Sequence, residues 1–277
     1  MNMKSLIALT ALTAAGAASA EVISGNTLCR IEVDSGTKST IVAVPLVKIG
    51  NTPANIPVTE LVLTDNLSAD DTILHWNGTS WDAWEIVVEE GTGAKSWEPT
   101  TISEGSNNSQ SAPAADTALA RGDAIWVNRA VTNEPFYVYG QVAGSSATAA
   151  TSTAEQATSA TSPKYTMMSA PITDPAGFQL NTIVSKKTAG SFADGDTIVV
   201  VDSSNKTFGR KEYVYKTDKE AFCTLTATTS TITIGGVEYT SVTGQTWTPV
   251  ADTVKIPVGA GFWYVSKGGD PTFTWTF

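Results

Sequence analysis

One stretch of this sequence is written twice. Ala193-Asp194-Gly195-Asp196-Thr197-Ile198-Val199-Val200-Val201-Asp202 is a tight acidic turn that opens into an apolar strand, and Ala69-Asp70-Asp71-Thr72-Ile73-Leu74 is a shorter version of it. The echo is not isolated. Tyr165 to Ile172 matches Thr40 to Leu46 with Pro171 on Pro45, and Gln245-Thr246-Trp247-Thr248-Pro249 matches Lys95-Ser96-Trp97-Glu98-Pro99. Gly259-Ala260-Gly261-Phe262-Trp263 matches Gly122-Asp123-Ala124-Ile125-Trp126, and Pro271 to Phe277 matches Pro135 to Gln141. Five landmarks in one order define one module used twice, and each copy then has to bury the same apolar face.

The period inside each copy is that of strands. Asn77-Gly78 carries the strongest short hairpin signal in the chain, with Trp81 to Val88 as the returning strand. Only 16% of the residues are charged, while Thr, Ser, Ala, Gly and Val abound, a balance that favours β-structure over helical bundles. Of the 20 residues from 143 to 162, 17 are Ala, Ser or Thr. Such a segment has little apolar bulk to offset its ordering entropy, so it reads as a linker, with a short helix around Thr148 to Ser159 as the alternative. The expected organisation is a signal segment at 1–20, a β-module at 21–142, a linker at 143–163 and a second β-module at 164–277. The fold class is all-β, with two tandem homologous modules, each a β-sandwich or a partly open β-barrel.

Lys4, an apolar or small run over Ser5 to Ala15 and Ala18-Ser19-Ala20 have the layout of a secretory signal cleaved before Glu21. No later run reaches about 18 apolar residues, so no transmembrane helix is expected. The exported protein is placed in the periplasm, at the outer-membrane surface or outside the cell. A net charge of −10 with scattered lysines offers no stripe for phosphates, which sets nucleic acid aside as a partner. Outside the cytoplasm, Cys29 and Cys223 either pair across a very long loop, for about 5 kcal/mol on a chain-entropy model, or remain two separate buried thiols.

The Val-Pro-Leu strand at Val44-Pro45-Leu46, the Gly-Asp-x-Ile turn at Gly195 to Ile198, the two Trp-x-Pro elements, Gly259 to Trp263 and the closing aromatic strand resemble a family of uncharacterised secreted bacterial proteins. The resemblance spans most of residues 38–277. It implies a two-part β-protein outside the cytoplasm and assigns no activity and no residue roles.

Few constellations for chemistry emerge. His75 is the single histidine, and its match in the second copy is Val200, as expected of a buried or partly buried position rather than a catalytic one. Ser203-Ser204-Asn205-Lys206 spells an acyl-enzyme pattern but joins two strands, which makes it a turn. Asp194 and Asp196 are weak candidates for a cation, without the ligand number that calcium needs; Asp and Gly also make such turns unaided. Arg121-Gly122-Asp123 has the composition of an adhesion tripeptide, yet its match, Val258-Gly259-Ala260, keeps only the glycine.

The tryptophans divide. Trp97 and Trp247, and Trp126 and Trp263, match between copies and are expected to hold the module cores. Trp76, Trp81 and Trp84 have no tryptophan counterpart and lie at one hairpin, where they either pack on the module's own sheet or form a flat platform for the stacking of sugars. The alternating aromatic end, Phe273-Thr274-Trp275-Thr276-Phe277, has the look of an outer-membrane barrel strand but recurs inside the first copy.

The expected function is therefore non-catalytic: a secreted or cell-surface structural or adhesive protein that needs no cofactor and acts on itself or on other surface components. Glycan binding through Trp76, Trp81 and Trp84 is the alternative, and an outer-membrane barrel ranks below both.

Overall fold

The computed structural model describes residues 20–23, 28–33, 39–49, 55–64, 67–78, 80–101, 113, 117–130, 135–141, 150–169, 177–202, 209–234, 237–257 and 259–275. Residues 1–19 of the expected signal lie outside this set, as does the expected turn at 203–206.

In the first half, β3 (Ser39–Ala43), β5 (Thr72–Trp76), β6 (Trp81–Val88), β7 (Lys95–Thr100) and β9 (Ala124–Asn128) form one antiparallel sheet in the order β3-β9-β5-β6-β7. In the second half, β12 (Lys164–Ser169), β15 (Thr197–Asp202), β16 (Gly209–Lys216), β17 (Ala221–Ile234), β18 (Val237–Pro249) and β20 (Gly261–Ser266) form another in the order β12-β20-β15-β16-β17-β18. Taken by position along each half, the first five strands of the two sheets follow one order, and β18 is an addition.

Smaller sheets cover one face of each. β1 (Ala20–Ile23), β2 (Leu28–Val33) and β10 (Phe136–Gln141) pair in the order β1-β2-β10, and β11 (Ala150–Thr153), β14 (Lys187–Ala189) and β21 (Thr272–Trp275) in the order β11-β21-β14. Two-stranded ribbons join β4 (Ile56–Pro57) to β8 (Ala118–Leu119) and β13 (Phe178–Gln179) to β19 (Lys255–Ile256). A one-turn helix α1 (Val58–Leu61) follows β4, and a 3₁₀ helix (Leu180–Lys186) follows β13. The protein is all-β and sandwich-like, and no sheet closes into a barrel among the described residues. Among those residues no helix is long and apolar enough to cross a membrane.

Each core lies between a large sheet and its small partner, because strand residues alternate between faces. Ile73, Trp84, Ile86, Trp97, Ile125 and Val127 of the first large sheet meet Ile31, Val33, Phe136 and Val138 of the small one. Ile198, Tyr213, Tyr215, Phe222, Phe262 and Tyr264 meet Ala154, Leu180, Ile183 and Phe273 in the second half.

Several expectations are corrected here. The segment expected as a linker supplies β11 rather than a helix, with Ala150↔Trp275 to Thr153↔Thr272 in register. Ala154 enters the second core, and the Ala157 N–H donates to Ser266 Oγ at 3.1 Å. Cys223 is a free, buried thiol whose nearest acceptor is the Ala221 carbonyl at 3.5 Å, so the Cys29–Cys223 bridge is not formed; the Cys29 side chain lies outside the described residues. Of the four tryptophans expected in the cores, only Trp97 is there, its Nε1 donating to the Val62 carbonyl at 2.7 Å. Trp247 is half-buried with Lys216 Nζ 5.6 Å from its ring, and Trp126 and Trp263 face away from both cores.

Candidate functional site, an aromatic cleft between the halves

The outer faces of the two large sheets meet each other. Val42 and Ala260 form an isolated bridge between the halves, with the Ala43 N–H donating to the Gly259 carbonyl at 2.8 Å and the Ser169 N–H donating to the Gly122 carbonyl at 3.0 Å. Under the sequence pairing that sets Pro171 on Pro45 and Gly259 on Gly122, these two bonds exchange when the halves exchange. Ile41, Ala124 and Met167 fill the seam. Gly261 completes it: a Cβ there would lie 2.6 Å from Ile41 Cγ2 and 2.7 Å from Ala124 Cβ, so only glycine lets the sheets approach this closely.

Beyond the seam the sheets diverge and leave an open cleft of about 490 Å³, within the size range of small-molecule sites. Trp76, Trp81 and Trp126 come from the first half, and Tyr165, Val199, Val201, Arg210 and Trp263 from the second. The rings form one continuous cluster. Trp76 meets Trp81 edge to face at 5.4 Å, Trp81 meets Trp263 at 5.7 Å, and Trp263 meets Tyr165 at 6.2 Å and Trp126 at 6.3 Å.

Register explains which tryptophans reach the cleft. Trp76 and Trp81 are cross-strand partners at the end of the hairpin and share one face. Trp84, three residues from Trp81, falls on the opposite face, pairs with Ile73 and is 1% exposed in the core. The expected trio is thus split. Trp76 and Trp81 stand in the cleft, Trp84 does not, and Trp126 and Trp263 take part in a way the sequence reading missed. The signal was available: in Ala124-Ile125-Trp126-Val127 the core residues are Ile125 and Val127, which sends Trp126 outward.

Polar groups are few. The Trp76 Nε1 is buried and has no hydrogen-bond partner, the Tyr165 side chain is at the wall, and Arg210 stands at the rim with its Nε 3.0 Å from Glu212 Oε1. Tyr165 and Arg210, both exposed, are thus the donors that a ligand's oxygens can reach on an otherwise apolar surface.

The two acidic turns serve the fold. Asp196 is fully buried; its Oδ2 accepts the Ala193 N–H at 2.7 Å and the Tyr264 hydroxyl, and its Oδ1 accepts the N–H groups of Lys267 and Gly269 at 2.7 and 3.3 Å. Asp71 is also fully buried and repeats the arrangement, with its Oδ2 accepting the Ser68 N–H at 2.9 Å, its Oδ1 the Ala130 N–H at 2.7 Å, and Arg129 beside it. In each turn the residue before the aspartate has positive φ, Gly195 at 93° and Asp70 at 71°. Each carboxylate thereby ties a turn to the end of the neighbouring strand. Burial, reinforced by the Asp196 hydrogen bond, raises the Tyr264 hydroxyl far above its ordinary value, so it remains a donor. Asp194 instead pairs with Lys216, which holds its carboxyl below the usual range. With their oxygens committed in this way, Asp194 and Asp196 do not converge on a common point, and among the described residues no three His, Cys, Asp or Glu groups gather to hold a metal.

His75 lies on the core side of the hairpin, 15% exposed, with Nδ1 3.5 Å from Asp82 Oδ2 and Nε2 3.8 Å from Asp123 Oδ2. The Asp123 carboxyl is raised by burial, a shift opposed by His75 and by the Ala120 N–H that it accepts at 2.8 Å. Arg121-Gly122-Asp123 is thus a turn of the same hydrogen-bonded kind, with Gly122 buried and Asp123 turned back onto its own loop.

Comparison with protein-family models, with curated proteins and with solved structures finds no match to this chain.

Proposed function

We propose that this chain is an exported, non-catalytic adhesive protein of the cell surface or its surroundings, made from one β-module used twice, and that it holds a ring of a surface glycan in the cleft between its halves. The observation that carries this reading is the position of Trp76, Trp81, Trp126 and Trp263. Four large indoles are withheld from both cores and gathered on an open surface. Partly exposed aromatic surface gathered in one cleft favours a ligand with a flat apolar face. The C–H face of a sugar provides one, while its hydroxyls accept from Tyr165 and Arg210.

A non-catalytic role is supported by His75. It is flanked by two carboxylates on the core side, away from the cleft residues, where a general base has no substrate to reach.

An array of immobilised glycans, probed with the mature chain and with Trp81→Ala and Val199→Arg variants whose circular dichroism is native, tests the reading. Binding to a defined set of glycans by the parent and its loss in both variants is the expected result. Absence of binding to any glycan, or binding that both variants retain, refutes it.

A further inference from the structure

Strands β17 and β18 run on past the sheet that carries them. β16 pairs with β17 only at Ala221, Phe222 and Cys223, whereas β17 and β18 pair with each other from Cys223↔Pro249 to Ile234↔Val237. A two-stranded arm therefore projects over residues 224–234 and 237–248, about 37 Å long at the usual rise per residue. Every described side chain from Leu225 to Thr233 and from Val237 to Thr246 is exposed. Leu225, Ile232, Val237 and Val242 are 45–62% accessible, among the most exposed large apolar residues described.

An isolated two-stranded ribbon is marginal in water, and native sheet edges are ordinarily blunted by Lys, Pro or charge. This arm has neither protection. Residues 224–248 contain no Lys, Arg or Pro and a single charged residue, Glu238, in a chain of net charge −10. A charged partner finds only Glu238 there to pair with. Two copies of this acidic chain, by contrast, can approach along this segment with little like-charge repulsion.

We propose that the arm is a homotypic docking surface, on which the free edge of β18 pairs antiparallel with β18 of a second copy of this chain. One strand meeting itself about a two-fold axis closes the assembly as a dimer. The β18 bulge, where Thr228 pairs with Gly244 and Thr229 with Val242, bounds the regular edge to Val237–Val242. A pair centred on Thr240 continues a ladder already begun within one copy, where Thr231 Oγ1 and Thr240 Oγ1 are 3.1 Å apart. In that register Glu238 faces Val242, and the two Glu238 positions stay about 14 Å apart along the strands.

Sedimentation equilibrium of the mature chain from about 1 to 200 μM, with Thr240→Lys and Thr240→Cys variants, tests this surface. The parent is expected to move from monomer to twice its mass, T240K to associate at least tenfold more weakly, and oxidised T240C to form a covalent dimer that Thr226→Cys on β17 does not. A parent that stays monomeric, association untouched by T240K, or equal cross-linking of T240C and T226C overturns the proposal.

Discussion

The N–H of Ser169 donates to the carbonyl of Gly122 at 3.0 Å, and this bond crosses from one half of the chain to the other. Its counterpart, from Ala43 to Gly259, is 2.8 Å. Together they clamp the outer faces of two large sheets at one end, and the aromatic cleft opens where the clamp stops. Packing between the halves and the aromatic cleft are thus one feature.

The Ser169 hydroxyl is buried at this clamp without a hydrogen-bond partner, and its counterpart in the other half is Ala43. Ser169→Ala removes a desolvated hydroxyl and leaves the backbone bond in place. We expect it to stabilise the chain by about 1 kcal/mol, measured as a higher urea midpoint at unchanged slope. A loss of stability contradicts the assignment.

Gly261→Ala introduces a Cβ into contacts of 2.6 and 2.7 Å with Ile41 and Ala124. Overpacking of this kind costs about 1–3 kcal/mol. Because the strain falls between the halves, the variant should be cut by protease between them faster than the parent while each half keeps its native circular dichroism.

Asp196→Ala leaves the Ala193, Lys267 and Tyr264 donors without their acceptor in a buried site. Each such donor costs about 1–3 kcal/mol, so the total is expected at about 3 kcal/mol or more. Asp194→Ala, two residues away, loses a partly exposed ion pair worth under about 1 kcal/mol. Equal effects in thermal unfolding contradict the different roles assigned to them.

Asp194 and Asp123 set opposite pH dependences. Asp194 has a lowered folded pKa, so its contribution is present above its unfolded value, about 3.9, and is lost as pH falls through the lower folded value. Asp123 has a raised folded pKa, so its charge costs stability above that value and the cost disappears as pH falls below the unfolded one. Urea midpoints between pH 3 and 7 should show D194N flattening the acid-side loss. D123N should gain stability at neutral pH and lose that advantage in acid.

Much of the architecture could be read from the residues because strands announce themselves by alternation. The hairpin from Thr72 to Val88, the closing strands at Phe136 and Phe273 and the turn at Asp194 all lie where turn chemistry and apolar runs put them. What escaped was set by contacts far apart in sequence. The stretch after Gln141 has the composition of a linker, yet Ala150 to Thr153 gains its order from pairing with β21. Trp126 and Trp263 are as hydrophobic as Trp97, and it is strand parity, with Ile125 and Val127 or Phe262 and Tyr264 in the cores, that turns them outward. In the candidate site, Trp76 and Trp81 were legible from the hairpin, and strand parity already separates Trp84 from them. Of the β17–β18 arm only Gln245 to Pro249 was read, because the exposed, Thr-rich remainder has no packed face whose apolar residues would mark it.

The most direct test of the central claim, that the recognition surface belongs to both halves at once, is titration of the full chain with anilinonaphthalene sulfonate. This apolar ring system has an anionic group suited to Arg210, and its binding is followed by energy transfer from tryptophan. The account expects saturable binding at one site, abolished equally by Trp81→Ala in the first half and Val199→Arg in the second. Dye binding that survives either substitution, or no binding by the parent, would contradict it.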